Sequence, residues 1–225
     1  GYEVALSDAQ WLGFGATLRI VHAAQLPPEL YQRLPRETFS PRWREMVKSF
    51  QSQAESKTFS DPTAIKLAAF MREKRADITL SIARADELGR ILTSQPPEFV
   101  LCHSDIHPGN LLITGPDQFY LVDWDQPVLA PRERDLVLLG GGAVWNNPRK
   151  LDLFFLGYGG AKIHRQALAY YRYERVIQDL AVECEMIFSS KDGGDDREQE
   201  YQFFVSSFLP GHEIELARKI DHEPS

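Results

Sequence analysis

At 225 residues, 43% hydrophobic and 25% charged, the chain has material for one good core and sits in the ordinary globular range. A formal charge of −7 and a pI near 5.4 exclude the cationic surface that nucleic-acid phosphates require, and they suit a cationic small molecule as partner. No apolar run reaches membrane-spanning length and no basic-then-apolar signal pattern opens the chain, so a cytoplasmic protein without a membrane partner is expected.

Residues 7–24 carry a helical pattern, with Trp11, Leu12, Leu18 and Val21 at helical spacing. Ser7 or Asp8 can cap it, and Pro27-Pro28 ends it. A second helix is expected from Ser40-Pro41 to Phe50, with Pro41 in its first turn. A third runs from Asp61-Pro62 to about Lys74, and the pattern continues over Ile78–Thr93 until Pro96-Pro97 breaks it. Three short apolar strands follow: Phe99-Val100-Leu101-Cys102, Leu111-Leu112-Ile113-Thr114 and Phe119-Tyr120-Leu121-Val122. The last two are joined by Gly115-Pro116-Asp117-Gln118, a turn-rich connection that fits a hairpin. Gly140-Gly141-Gly142 reads as a turn or helix terminus, because no strand precedes it. Helices are expected again at about 147–158, 163–189, 196–208 and 212–221, with no internal repeat or low-complexity tract. The fold class is therefore α+β and mostly helical, with helices on either side of a loop-and-hairpin element. Cys102, in a core strand, and Cys184, in a helix, are expected to be reduced thiols without a disulfide or zinc site.

Between the first strand and the hairpin runs His103-Ser104-Asp105-Ile106-His107-Pro108-Gly109-Asn110, and the hairpin ends in Leu121-Val122-Asp123-Trp124-Asp125. This set offers a carboxylate at Asp105, an amide oxygen five residues later at Asn110, and a strand-end carboxylate at Asp123. In protein kinases the Asp of H-R-D-x-x-x-x-N receives the attacking hydroxyl, while the Asn and a strand-end Asp hold magnesium on the nucleotide phosphates. Paired strands would clamp the loop at both ends, Pro108-Gly109 would re-aim Asn110, and the hairpin would return Asp123 beside it. One carboxylate and one amide oxygen are a sensible protein share of Mg²⁺ coordination, with water and phosphate supplying the rest. A lone H-x-D is common, and a loop rich in Pro, Gly and Asn is most often only a turn. It is the ordered set between strands that points to phosphoryl transfer.

The runs H-S-D-I-H-P-G-N-L-L, L-V-D-W-D and P-R-E-R-D-L together resemble the aminoglycoside phosphotransferase family, small-molecule relatives of protein kinases that include choline kinase-like enzymes. That family shows an H-G-D-x-H-x-x-N loop, an I-D-W/F-D/E metal strand and a downstream D-L motif. Leu12 to Ala23 is similar to its L-G-x-x-L-x-x-L-H-A helix, and Ala169 to Arg175 resembles a helix of its C-terminal half. The resemblance implies a protein-kinase-like C-terminal lobe with short β-hairpins beside the catalytic loop. It implies Asp105 as catalytic base, Asn110 and Asp123 as metal ligands, and His103, His107 and Asp135 as supports of the loop. Mg²⁺ and ATP or GTP would serve as cofactor and co-substrate, and the acceptor would be a hydroxyl of an aminoglycoside-type antibiotic or a related amino-alcohol or sugar. Ser104 stands where the family usually has Gly. On this reading residues 1–225 are a single C-terminal lobe with catalytic loop 103–110, metal strand 119–125 and substrate-side helices 147–221. Neither a Gly-rich loop before a strand nor a V-A-I-K-like lysine strand occurs, so the N-terminal nucleotide lobe is expected to be absent from this chain, which alone would bind nucleotide weakly.

The helix expected over 163–189 carries Asp179, Glu183 and Glu185 with Tyr170, Tyr173 and Phe188, and an acidic stretch of Asp192, Asp195, Asp196, Glu198 and Glu200 follows. Carboxylates and aromatic faces suit a polyamine or aminocyclitol. Asp125, Asp179 and Glu183 are candidate substrate contacts, although acidic residues on helix faces are more often simply solvated. Trp124, Trp145 and Tyr158 read as core or pocket wall. The motifs do not choose among aminoglycoside, homoserine, choline, methylthioribose and macrolide acceptors. A non-catalytic lobe that binds or regulates is the alternative, favoured by the missing nucleotide lobe and opposed by the intact Asp105, Asn110 and Asp123. A metal-dependent hydrolase is disfavoured, because the sequence shows no His/Asp metal cluster.

Overall fold

The computed structural model describes residues 6–106, 108–115, 118–137, 147–160, 162–189 and 195–222. Five helices come first: α1 (Asp8–His22), α2 (Pro28–Arg33), α3 (Arg42–Ser56), α4 (Pro62–Glu73) and α5 (Arg75–Ser94). Strand β1 (Val100–Cys102), a 3₁₀ turn at Pro108–Asn110, and strands β2 (Leu111–Gly115), β3 (Gln118–Leu121) and β4 (Val128–Ala130) follow. Helices α6 (Glu133–Leu136), α7 (Pro148–Tyr158), α8 (Arg165–Ser189), α9 (Asp195–Ser206) and α10 (Glu213–His222) complete the order. Gly140-Gly141-Gly142 and Trp145, singled out from the sequence, lie outside the described residues.

The chain divides into two compact units, Gly1–Thr38 with Gln95–Leu168 and Phe39–Ser94 with Ala169–Ser225. In the first, α1 begins at a reciprocal cap: Ser7 Oγ accepts from Gln10 N (3.2 Å) and Gln10 Oε1 accepts from Ser7 N (2.8 Å). Its buried stripe is Trp11, Phe14, Gly15, Leu18 and His22, so Leu12 and Val21 lie at the margin of the face rather than at its centre. Helices α1 and α7 approach so closely that a Cβ on Gly15 would sit 2.0 Å from the Phe154 carbonyl oxygen, and one on Gly157 would sit 2.0 Å from that of Leu12. Around this crossing Trp11, Phe14, Leu18, Phe154 and Tyr158 form a core that also takes in Ile106 and Leu111.

Two small antiparallel sheets complete this unit. In one, β1 pairs with β4, matching Val100 to Ala130 and Cys102 to Val128; in the other, β2 pairs with β3, matching Leu111 to Leu121 and Leu112 to Tyr120. Strand β4 and helix α2 are not foreseen from the sequence. Val128–Ala130 is only three residues long, which leaves no alternation to read, and α2 buries none of its residues. The chain at 35–37 adds to the outer side of β4, with Leu129 N donating to Pro35 O (2.9 Å) and Glu37 N to Leu129 O (2.9 Å).

The second unit is helical. Helix α4 is capped by Asp61, whose carboxylate accepts from Ala64 N (2.8 Å), as its Asp-Pro start suggests. Arg44, 2% exposed, joins several segments by donating to the carbonyls of Phe39 (2.9 Å) and Ala85 (3.0 Å) and pairing with Asp86 and Glu174. Cys102 and Cys184 are both free and buried, and burial pushes both thiols well above their usual range, so neither is poised as a thiolate.

Candidate active site

The loop after β1 is held by one buried carboxylate. Asp135, at the third position of α6 and 1% exposed, accepts from two successive backbone amides, His103 N (2.8 Å) and Ser104 N (2.7 Å). Its Oδ2 also receives His22 Nε2 at 3.1 Å. The other ring nitrogen, His22 Nδ1, faces Tyr158 Oη at 2.5 Å. Burial raises the Tyr158 phenol to about 12, so it keeps its proton. The carboxylate can only accept, so His22 Nε2 carries a proton aimed at it. Asp135 thus gathers two loop amides and one histidine on a single buried carboxylate. His22 and Tyr158, from the end of α1 and the end of α7, are partners that sequence reasoning missed. The available signal was a histidine on the buried stripe of α1, four residues after Leu18.

Ser104 has φ +76°, a left-handed conformation that accounts for the usual Gly at this position. His103, 1% exposed, supports the other side of the loop: its Nε2 meets Val122 O at 2.9 Å and its Nδ1 accepts from Asp105 N at 3.4 Å. This pairing fixes the proton on Nε2 and leaves His103 a bracket between loop and hairpin. His107 lies outside the described residues.

Asn110 is 5% exposed, and its Nδ2 donates to the Asp105 carbonyl (2.9 Å) and, more weakly, toward Asp105 Oδ2 (3.4 Å). Its backbone oxygen accepts from Val122 N at 3.0 Å. Val122 is thus tied to Asn110 through its amide and to His103 through its carbonyl, and it delivers the next residue, Asp123, to the same place. Asp123 itself is exposed and, at φ +67°, also left-handed, so the chain turns sharply out of the strand there. Ile106 (2% exposed) and Leu111 (7%) sink into the α1–α7 core on either side of the loop, fixing it by packing as well as by hydrogen bonds.

The structure therefore brings Asp105, Asn110 and Asp123 into one hydrogen-bonded neighbourhood. The donor atoms gathered there are an amide oxygen and carboxylate oxygens, all hard. Among the described residues no cation pairs with Asp123. This chemistry fits Mg²⁺. Among the described residues a different trio, His22, Cys102 and Asp135, has donor atoms within 4.8 Å of one another, but these are already committed to the contacts above and to the Ala130 and Pro131 carbonyls.

The other sequence candidates are placed as follows. Asp125 is exposed beyond the end of the hairpin. Trp124 is 37% exposed rather than core; its ring meets His103 at 4.5 Å between centroids, and its Nε1 donates to Leu121 O (3.0 Å). In the second unit, Asp179 is paired with Arg175 at 3.0 Å. Glu183 is 8% exposed with Oε2 unpartnered, and burial, reinforced by Asp179, Glu200 and Glu213, raises its carboxyl to about 9. Tyr170 and Tyr173 are buried at 2% and 3% exposure and so serve the core. Sequence reading also missed an exposed apolar pair beside Asn110: Leu112 (52%) and Tyr120 (58%), directly opposite each other on β2 and β3.

This site and fold define a kinase-like phosphotransferase. A model of the phosphotransferase enzyme family matches residues 3–174, and the chain belongs to that family, whose members act on hydroxyl groups. Among solved structures, spectinomycin phosphotransferase APH(9)-Ia in complex with ADP and spectinomycin is 35% identical, with a TM-score of 0.87 over 96% of this chain and 67% of its own. The AMP-bound complex of that enzyme gives 34% identity and a TM-score of 0.83 over 95% of this chain and 67% of its own. An aminoglycoside phosphotransferase from Alicyclobacillus acidocaldarius, 17% identical with a TM-score of 0.57 over 96% and 68%, shares the fold. No curated protein sequence matches the chain. Among the described residues no helix is long and apolar enough to cross a membrane.

Proposed function

We propose that the protein transfers the γ-phosphoryl group of ATP or GTP to a hydroxyl of a cationic small molecule, with an aminocyclitol of the spectinomycin type as the first acceptor to test. The observation that carries this reading is the tie of Asn110 to Asp105 O (2.9 Å) and to Val122 N (3.0 Å), with Asp123 next in the chain. Asp105 would orient the acceptor hydroxyl and take its proton as the O–P bond forms. Asn110 and Asp123 would hold Mg²⁺, which supplies charge neutralisation at the phosphates. The remaining work is positioning and electrostatics, which suits a loop immobilised from several directions. The support for an aminocyclitol is the 35% identity to an enzyme solved with spectinomycin.

Residues 1–225 would supply the catalytic-loop lobe of such an enzyme; they span 67% of the length of spectinomycin phosphotransferase. The exposed Leu112–Tyr120 face would support the nucleotide's base. Within the second unit, Glu183 and Asp179 are candidates for contact with a cationic group, which would draw Glu183 into its ionised form. The test is turnover of ATP and GTP with Mg²⁺ and a panel of spectinomycin, other aminoglycosides, choline and a macrolide, using full-length protein. Asp105→Asn is expected to abolish transfer while leaving nucleotide binding in place. Wild-type turnover in that variant would remove Asp105 from the chemistry, and transfer to choline alone would replace the acceptor class.

A further inference from the structure

Ser104 departs from the usual Gly at a backbone position where a side chain is unfavourable, φ +76°. The structure shows what that side chain does. Ser104 Oγ accepts from Arg134 Nε at 3.0 Å, and Arg134 Nη1 donates to Glu37 Oε2 at 3.0 Å. Glu37 is itself fixed: its side chain is 11% exposed, its Oε1 accepts from Thr38 N (2.8 Å), and its backbone amide donates to Leu129 O (2.9 Å) in β4. Leu129 is paired with Leu101 of β1, the strand that enters the loop. The contacts therefore close a ring: β1, Ser104, Arg134, Glu37, β4 and back to β1.

We propose that Arg134 is a positioning residue which, through the Ser104 hydroxyl and the Glu37 carboxylate, locks the left-handed turn that aims Asp105. The proposal rests on Asp105 having the role given above. A glycine would adopt the turn without strain but would offer no hook; a serine strains the turn and supplies one. The guanidinium suits this task because its planar fork spans two acceptors at fixed geometry, which a lysine cannot do. Asp135 clasps the same turn by its amides, so the strut sets the aim of the loop rather than its existence, and its loss should be felt in the chemical step.

The test is a double-mutant cycle in the full-length enzyme with Ser104→Ala, which keeps the strained Cβ and removes the hook, and Arg134→Ala. Each single variant is expected to lower kcat roughly tenfold, with both KM values within about twofold of wild type. The double variant is expected to be no slower than either single one, since both break the same strut. Multiplicative losses, or a rise in KM at unchanged kcat, would overturn the proposal. Should the wild type transfer no phosphoryl group to any acceptor, the same cycle read by thermal unfolding separates the two ideas. Coupled losses in midpoint would keep the strut and discard the enzymatic role, and independent losses would discard the strut.

Discussion

Replacing Asp135 by Asn removes one oxygen from a side chain that serves three donors. The carboxylate receives His103 N at 2.8 Å and Ser104 N at 2.7 Å, on separate oxygens, together with His22 Nε2 at 3.1 Å. An Asn of the same shape can satisfy only one of the two adjacent amides; its own NH₂ must face the other. A buried donor left without an acceptor costs about 1–3 kcal/mol, and the surviving bonds lose their charge-assisted strength, roughly half of each. Working the other way, the variant no longer buries a carboxylate, whose desolvation cost is several kcal/mol and is here only partly offset by its donors. The balance comes to a loss of about 3–5 kcal/mol, the range found when one partner of a buried charged network is removed. For a chain of this length that corresponds to a fall of roughly 10 °C in the thermal midpoint. Urea unfolding followed by near-UV circular dichroism reads it directly. Tyr158→Phe, which removes the far end of the chain through His22, should cost about 1 kcal/mol in the same assay. An Asp135→Asn loss below about 1 kcal/mol would refute the reasoning, because the two amides would then be as well served by water as by the carboxylate.

Gly157→Ala sets helix propensity, which favours Ala by about 1 kcal/mol, against a Cβ 2.0 Å from the Leu12 carbonyl oxygen. Overpacking should win, with a net loss of about 1–3 kcal/mol in denaturant unfolding, and a stabilised variant would show that α1 and α7 separate freely. Glu183, raised to about 9, binds a proton in the folded state that the unfolded chain releases near 4.5. The stability this proton contributes is complete below pH 4.5 and is lost as pH rises toward 9. Glu183→Gln should therefore gain on wild type by about 1.4 kcal/mol per pH unit between roughly 5 and 9 and level off above. A difference independent of pH would contradict the burial argument. Asp123→Asn keeps a residue type that tolerates the left-handed φ of +67° and removes the charge. Unfolding should shift by no more than about 0.5 kcal/mol, while kcat at fixed Mg²⁺ falls on the order of 10²-fold. Unchanged kcat would exclude Asp123 as a metal ligand.

The loop-and-hairpin element was legible because its chemistry is local. Asp105 and Asn110 lie five residues apart, and Asp123 is returned to them by a hairpin whose turn residues announce themselves. The start of the first helix at Ser7 or Asp8 and of another at Asp61-Pro62 was legible for the same reason, since Ser7 and Asp61 each act on an amide three residues ahead. What escaped was the support. His22 reaches Asp135 across 113 positions and Tyr158 across 136, while Arg134 reaches Glu37 across 97. No periodicity encodes such pairs; the packing of α1 on α7 brings His22 to Tyr158, and α6 carries Asp135 to the same histidine. Strand β4 escaped because three residues between Pro127 and Pro131 carry too little pattern, and its identity as a strand comes from its partners β1 and 35–37. Trp124, expected as core or pocket wall, is not core: at 37% exposure its ring lies edge-on to His103.

Two non-glycine residues at positive φ bracket this site, Ser104 before Asp105 and Asp123 after Val122. Each carries a strain that an ordinary loop would relax, so something must hold it. At Ser104 the hold is explicit: two amides on one carboxylate and a hydroxyl on Arg134. At Asp123 it is the preceding residue that is held, with Val122 bonded through both its amide and its carbonyl, so that the only freedom left is to turn the next carboxylate outward. The arrangement spends hydrogen bonds on the backbone and leaves the side-chain oxygens of Asn110 and Asp123 for a ligand. Strained turns fixed from behind, with uncommitted oxygen atoms in front, are the physical signature of a pre-organised site for a charged reaction partner.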